Sequence, residues 1–287
     1  MRPPYAVIDS HVHIAPWEQV RPDAAARMMA GRPNVEELYA VNRDPYRLID
    51  HMDARNIEKL VMINYVTPEV VGFTESANDF SADMARPFPK RLIPFGGIDP
   101  RRVKSVPDEM NRLLGDLRLR GLKIHPPHQL FHANAYLHDP DLRGLATVYE
   151  KCIEYNVPVM FHTGTSIFPR ARNKYGDPLD LDDLIVDFPE LKIIIAHGGR
   201  PLWMDTALFL LRRSRNVTLD ISSVPPKNLL NYFPWLERVA DQTIFGSDWP
   251  GPMIMDIGQN VEDFYALPLS EEVKRKILRD NALKLFE

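Results

Sequence analysis

Eight short apolar runs, separated by segments with helical spacing, set the tightest limit on how this chain folds. They are AVIDSHVH (6–13), KLVMINYV (59–66), LIPFGGID (92–99), GLKIHPP (121–127), VPVMFHTG (157–164), KIIIAHGG (192–199), VTLDISS (217–223) and TIFGSDWP (243–250). Each is rich in Val, Ile or Phe, and most stop at Gly, Pro or a polar residue, the pattern of strands buried on both faces. Helix signals fill the intervals. Pro107 opens 107–117 with acidic residues in the first turn. The stretch 139–156 sets Leu142, Leu145, Ala146, Val148, Tyr149, Cys152 and Ile153 on one stripe, and 270–286 starts on a Ser cap. Strands that alternate with crossover helices pair in parallel. Eight of them in 287 residues predict a closed (β/α)8 barrel, a TIM barrel, in preference to an open doubly wound sheet. Residues 1–287 read as one domain. The longest interval carries a small helical insertion at about 15–44, expected as a flap over the barrel mouth.

Composition removes several classes of function. A net charge of −4 without a basic stripe argues against nucleic acid. Cys152 is the only cysteine, so neither an intrachain disulfide nor a thiolate zinc site can form. That usage fits a reducing compartment. No run approaches the roughly 18 apolar residues of a membrane span, and the N-terminus lacks the apolar core of a signal peptide. The expectation is a cytoplasmic protein that meets a small molecule rather than a membrane.

The polar residues inside the runs carry the functional signal. The first run ends in His11 and His13, the fourth in His125 with Lys123 two positions earlier, the fifth in His162, the sixth in His197 and the eighth in Asp248. Strand alternation puts Asp9, His11 and His13 on one face and Ile8, Val12 and Ile14 on the other. Singly, each has a plain structural reading, as a hydrogen-bonded core histidine or, for Asp248, a turn residue or cap. Jointly they occupy the C-terminal ends of five strands, and in a barrel those ends share the rim where barrel enzymes keep their chemistry. The joint pattern points to a metal site.

H-x-H on the first strand, then His on the fifth, His on the sixth and Asp on the eighth, resembles the amidohydrolase superfamily. GLKIHPP, VMFHTG, AHGGRPLW and FGSDWP are similar to its amidohydrolase-2 branch, which includes the aminocarboxymuconate-semialdehyde decarboxylase group. The resemblance implies that His11, His13, His162 and Asp248 ligate one divalent ion, usually Zn2+, with Mn2+, Fe2+ or Co2+ also compatible with imidazole and carboxylate donors. It places His197 beside the ion and makes Asp248 both ligand and proton acceptor. Some superfamily members hold two ions through a carboxylated lysine on the fourth strand. Lys123 lies in that strand, but His125 holds its rim position, so one ion is the expectation.

The substrate is expected to be a small anion. Arg170 and Arg172, with Lys174, lie on the loop after the fifth strand, where guanidinium groups suit carboxylates or simply face solvent. His125 and His128 are candidates for substrate contact, although His128, like His132 and His138, also reads as a surface residue. Trp249 either lines the pocket or packs under the eighth loop. His51 has no assigned role. Trp203 and Trp235 are candidates for a homodimer contact or for the core. Three functions stay open: a metal-dependent hydrolase of an ester, lactone or amide; a non-oxidative decarboxylase of an aromatic or muconate-type acid; and a metal-stabilised binding barrel without catalysis.

Overall fold

The computed structural model describes residues 2–252 and 254–286. Eight strands follow one another around a parallel sheet: β1 (Val7–Val12), β2 (Ile57–Met62), β3 (Leu92–Gly96), β4 (Gly121–Ile124), β5 (Val159–His162), β6 (Ile193–Ala196), β7 (Val217–Asp220) and β8 (Thr243–Ile244). The ring closes where the Ser10 amide donates to the Phe245 carbonyl at 2.9 Å and Val12 bridges to Trp249. This is the TIM barrel expected from the eight runs. The eighth run forms only a two-residue strand. Beyond it Gly246 fits closely against His11 and Asp220, and the chain turns away at Asp248.

Between β1 and β2 lie α1 (Pro22–Met29), α2 (Val35–Arg43) and α3 (Pro45–Asp53), the first two within the longest interval. Then come α4 (Ser76–Ala85) and α5 (Val106–Asn111), the latter running into a π turn at Arg112–Asp116. Next are α6 (Pro126–Gln129), α7 (Gly144–Glu154), α8 (Leu181–Asp187), α9 (Met204–Arg213) and α10 (Pro226–Tyr232). Finally α11 (Ile257–Tyr265), α12 (Glu271–Arg275) and α13 (Asn281–Phe286) close the chain, the last two joined through a π turn. No helix among the described residues is long and apolar enough to cross a membrane.

Strand alternation divides the core in two. Leu60, Leu92, Leu122, Val159, Ile193 and Val217 point outward to the helices. Val61, Ile93, Phe95, Met160, Ile194 and Ile244 fill the barrel interior, with Phe286 of α13 in the same cluster. β1 departs from simple alternation. Ile8 belongs to the interior cluster, whereas Val12 and Ile14 pack outside, so the expectation that these three share a face is corrected. The cause is a break in register with β2 between Asp9 and Val12. A bulge of this kind re-aims every following side chain. Here it turns His11 and His13 toward the barrel axis, and Asp9 stitches the break by accepting from the His11 and Ser247 amides at 3.2 and 2.9 Å.

The Phe95 ring is fully buried, sits T-shaped against Phe286 at 6.0 Å between centroids, and leaves no room for a side chain at Gly121. Phe95→Ala is therefore expected to cost about 3–5 kcal/mol. Urea unfolding followed by circular dichroism measures this, and a loss below about 1 kcal/mol contradicts the interior packing described.

Candidate metal centre

Where the strands end, hydrogen bonds settle the tautomers of His11, His13 and His197. His11 Nδ1 lies 2.6 Å from Asp220 Oδ2. Asp220 also accepts from the Ser222 amide and hydroxyl at 2.9 and 2.8 Å. Burial raises the Asp220 pKa to about 6, which still leaves a carboxylate at neutral pH. His13 Nδ1 faces the Ile63 carbonyl at 3.1 Å, and His197 Nδ1 faces the Ser222 carbonyl at 3.0 Å. Carbonyls and carboxylates only accept, so each Nδ1 carries the hydrogen and each neutral ring has a bare Nε2.

Those Nε2 atoms meet Asp248. His13 Nε2 is 3.1 Å and His11 Nε2 is 3.6 Å from Asp248 Oδ1. His11, His197 and Asp248 each offer a donor atom within 4.8 Å of the others. His162 stands outside this tight trio, T-shaped to His197 at 4.7 Å between ring centroids. Its Nε2, like that of His11, is buried without a hydrogen-bond partner. Among His11, His13, His197 and Asp248, the cluster thus consists of lone pairs facing lone pairs.

Electrostatics sharpen the point. Burial first, then the neighbouring positive charge of Lys123, lowers the His11 pKa well below the ordinary imidazole value. Burial likewise lowers His197 and His162. Asp248 moves the other way: burial opposes ionisation, but a hydrogen bond with His13 and then positive charge on His11 and His197 would hold it well below the usual carboxylate range. The buried His11 and His197 rings, driven neutral, cannot supply that charge. A divalent cation among these atoms satisfies both demands, and imidazole nitrogens with one carboxylate are a suitable donor set. The Asp220–His11 pair supplies the outer hydrogen bond that metal-binding histidines need.

Both His197 and Asp248 have left-handed backbone, with φ of 67° and 65°. Such residues cost on the order of 1–3 kcal/mol and concentrate at functional sites. Hydrogen bonds around Asp248 hold it there: its amide donates to the His11 carbonyl at 2.8 Å, and its carbonyl accepts from the Gly251 amide at 2.5 Å.

Above the cluster opens a cavity of about 400 Å³. His13, Lys123, His162, His197 and Asp248 line it, with Tyr65, Phe73, Phe168, Arg200, Asn228 and Tyr232 among its walls. His125 and His128 face it as expected, and the surface reading of His128 is corrected: the residue is buried, bonded to Tyr65 Oη at 3.0 Å and Ser166 Oγ at 2.7 Å. The His125 ring is sandwiched between His128 and His162, at 3.5 and 3.7 Å between centroids. Lys123 is buried at the floor, its Nζ without a hydrogen-bond partner, and burial lowers its pKa to about 8.

Other candidates lie elsewhere. Arg170 and Arg172 are exposed and do not line the cavity, and Arg170 pairs with Asp23 at 3.5 Å. The loop carries them outward, away from the cavity lining. Trp249 is buried and packs tilted against His51, 5.0 Å between ring centroids, behind the eighth loop and outside the cavity lining. His132 pairs with Asp180 at 2.8 Å, and His138 is exposed. Trp235 is core, while Trp203 is half-buried. Sequence reasoning missed Asp220, Ser222 and Arg200. Asp220 closes the seventh strand just as the histidines close theirs, so the strand-end rule covers it. Arg200 follows His197-Gly-Gly directly, but only the folded turn shows which way it points.

A model of the amidohydrolase family (Amidohydro_2) matches residues 8–287. A curated relative, 2-keto-4-carboxy-3-hexenedioate hydratase of Sphingobium sp., is 24% identical over 207 residues, covering 62% of this chain and 60% of the hydratase. Among solved structures, 5-carboxyvanillate decarboxylase from Novosphingobium aromaticivorans, complexed with manganese and 4-hydroxy-3-methoxy-5-nitrobenzoic acid, superposes with a TM-score of 0.64. It is 17% identical, over 99% of this chain and 96% of its own. A probable 2-pyrone-4,6-dicarboxylic acid hydrolase from Acinetobacter baumannii, with citric acid bound, gives a TM-score of 0.65 at 18% identity over 98% and 99% of the two chains.

Asp220→Asn removes the charge that fixes the His11 tautomer. Divalent-ion affinity is expected to fall about 10–100-fold, as measured by Mn2+ titration with electron paramagnetic resonance. Unchanged affinity in a folded variant contradicts the tautomer argument.

Proposed function

This chain belongs to the amidohydrolase family, and on that footing we propose that it is a metal-dependent hydrolase acting on a small carboxylate-bearing ester, lactone or amide. The carrying observation is the convergence of bare His11 Nε2 and His13 Nε2 on the Asp248 carboxylate at the floor of the cavity that His13 and Asp248 line. In this reading His11, His13, His162 and Asp248 hold one divalent ion and His197 stands beside it. Three imidazoles and a carboxylate favour Zn2+. The manganese in the decarboxylase structure makes Mn2+ the first alternative.

When bound, the ion supplies Lewis acidity and a water of lowered pKa. Asp248 accepts the proton from the attacking water at a carboxylate oxygen. His197, held by Ser222 through Nδ1, turns its Nε2 to the reacting centre and orients the water. Lys123 places positive charge beneath the same atoms, where negative charge develops on the substrate.

Arg200 is the cavity's guanidinium. It donates to the Thr165 carbonyl at 2.8 Å and Ser223 Oγ at 2.7 Å, which leaves most of its N–H groups for a carboxylate. Tyr65, Phe73 and Phe168 make apolar walls that suit a planar acid. The hydratase, the decarboxylase and the hydrolase similar to this chain are all named for carboxylated compounds, which supports an anionic substrate.

Decarboxylation is the second reading. It is favoured by the aromatic walls and by the stacked His128–His125–His162 rings, which suit an aromatic acid. A panel of lactones and carboxylated aromatic acids, with carbon dioxide followed directly, separates the two, since stoichiometric release excludes hydrolysis as the main reaction. Asp248→Asn and His197→Ala are each expected to lower turnover by about 10²-fold or more with the fold retained. Near-normal turnover in metal-replete Asp248→Asn removes the mechanism. Arg200→Met is expected to raise KM for the acid more than it lowers kcat; an unchanged KM removes Arg200 as the carboxylate anchor.

A further inference from the structure

Three residues past the end of α1, the insertion turns a guanidinium inward. Arg32 is 9% exposed, and its Nη2 donates to the carbonyls of Pro250, Gly251 and Ile254 at 2.9, 3.1 and 2.9 Å. Nη1 reaches the Met255 carbonyl at 3.4 Å. No carboxylate among the described residues pairs with it, and burial is what lowers its pKa. A buried cation with only carbonyl dipoles for company is costly to desolvate. The arrangement spends that cost on one short segment, the main chain directly after Asp248.

That segment runs beside the carboxylate. Gly251 lies so close that a β carbon there would be 3.1 Å from Asp248 Oδ2. The Gly251 amide also holds, at 2.5 Å, the carbonyl of Asp248, whose own φ is 65°. Arg32 therefore grips, through carbonyls, the backbone that sets the position of a strained acidic side chain. The insertion and the loop also share the cavity wall, through Met28 on one side and Ile254 on the other. Reaching several carbonyls along a turn needs a planar fork, which lysine lacks.

We propose that Arg32 is a positioning residue: its guanidinium fixes the Asp248 loop and so sets how the Asp248 carboxylate is presented to the divalent ion. The inference rests on the reading of Asp248 as a ligand. The test uses the full chain with Mn2+ and Co2+ as probes, and compares Arg32→Met, Arg32→Lys, Asp248→Asn and, as an exposed control on α1, Arg27→Met. Arg32→Met is expected to weaken Mn2+ binding about tenfold or more, shift the visible absorption of the Co2+-loaded protein, and speed amide exchange over 248–256. Millimolar guanidinium ion restores affinity and spectrum, and Arg27→Met matches the parent. Arg32→Lys keeps the charge and the aliphatic stem and shows the same changes in weaker form.

A parental Co2+ spectrum and Mn2+ affinity in Arg32→Lys overturn the proposal, whether or not Arg32→Met folds. If Asp248→Asn weakens Mn2+ binding and the Arg32 variants do not, this inference alone fails. If Asp248→Asn also leaves binding unchanged, the assignment of Asp248 as a ligand fails with it.

Discussion

The site depends on a small polar hub behind it, the Asp220 carboxylate with Ser222. Asp220 takes the Nδ1 hydrogen of His11, and Ser222 offers its carbonyl to His197. With both rings committed on that side, their remaining nitrogens have no hydrogen to give. They are left pointing at an acidic group that also has none. Among the described residues, the bare nitrogens of His11, His13 and His197 and the Asp248 carboxylate are all acceptors, and no hydrogen bond from Lys123 reaches them. A cation is the missing element that donor–acceptor bookkeeping demands. The hub is contributed by β7, which supplies none of the proposed ligands, so the strand's role in the site is to orient its neighbours.

The barrel makes such a hub possible by bringing distant segments to one rim. His11 and Asp220 are 209 positions apart in sequence, yet bond at 2.6 Å. β1 has the most demanding geometry, because it must deliver two side chains inward within three residues. A regular strand starting from Ile8 in the interior would point both histidines outward. The bulge between Asp9 and Val12 inverts the phase, and the buried Asp9 carboxylate takes up amides on either side of the seam. Strand irregularity here is part of how the site is built.

The strand-end rule makes much of this legible in the sequence. The eight runs became eight strands, and His13, His162, His197 and Asp248 at their ends share one cavity with Lys123 and His125, with His11 just beneath. Misreadings arose where position along a loop had to stand for direction. Arg170 and Arg172 are near the mouth in sequence but project away from it, whereas Arg200, four residues past β6, turns in. Trp249 follows Asp248, but the left-handed turn at Asp248 sends the next side chain behind the loop onto His51. His128 read as surface because its loop is rich in proline and polar residues. Folded, it completes a column of three rings that no spacing rule anticipates. The bulge in β1 was equally invisible, since a shift of register leaves no mark on a run of six residues.

His197 and Asp248 hold a backbone shape that glycine adopts freely and other residues resist. At these two points the demands of a comfortable chain and of a working side chain diverge. A glycine would relieve the main chain while stripping out an imidazole or a carboxylate. Selection for thermal robustness alone would push both positions toward smaller, inert residues. Keeping a histidine and an aspartate there is a standing concession of conformational ease to chemistry.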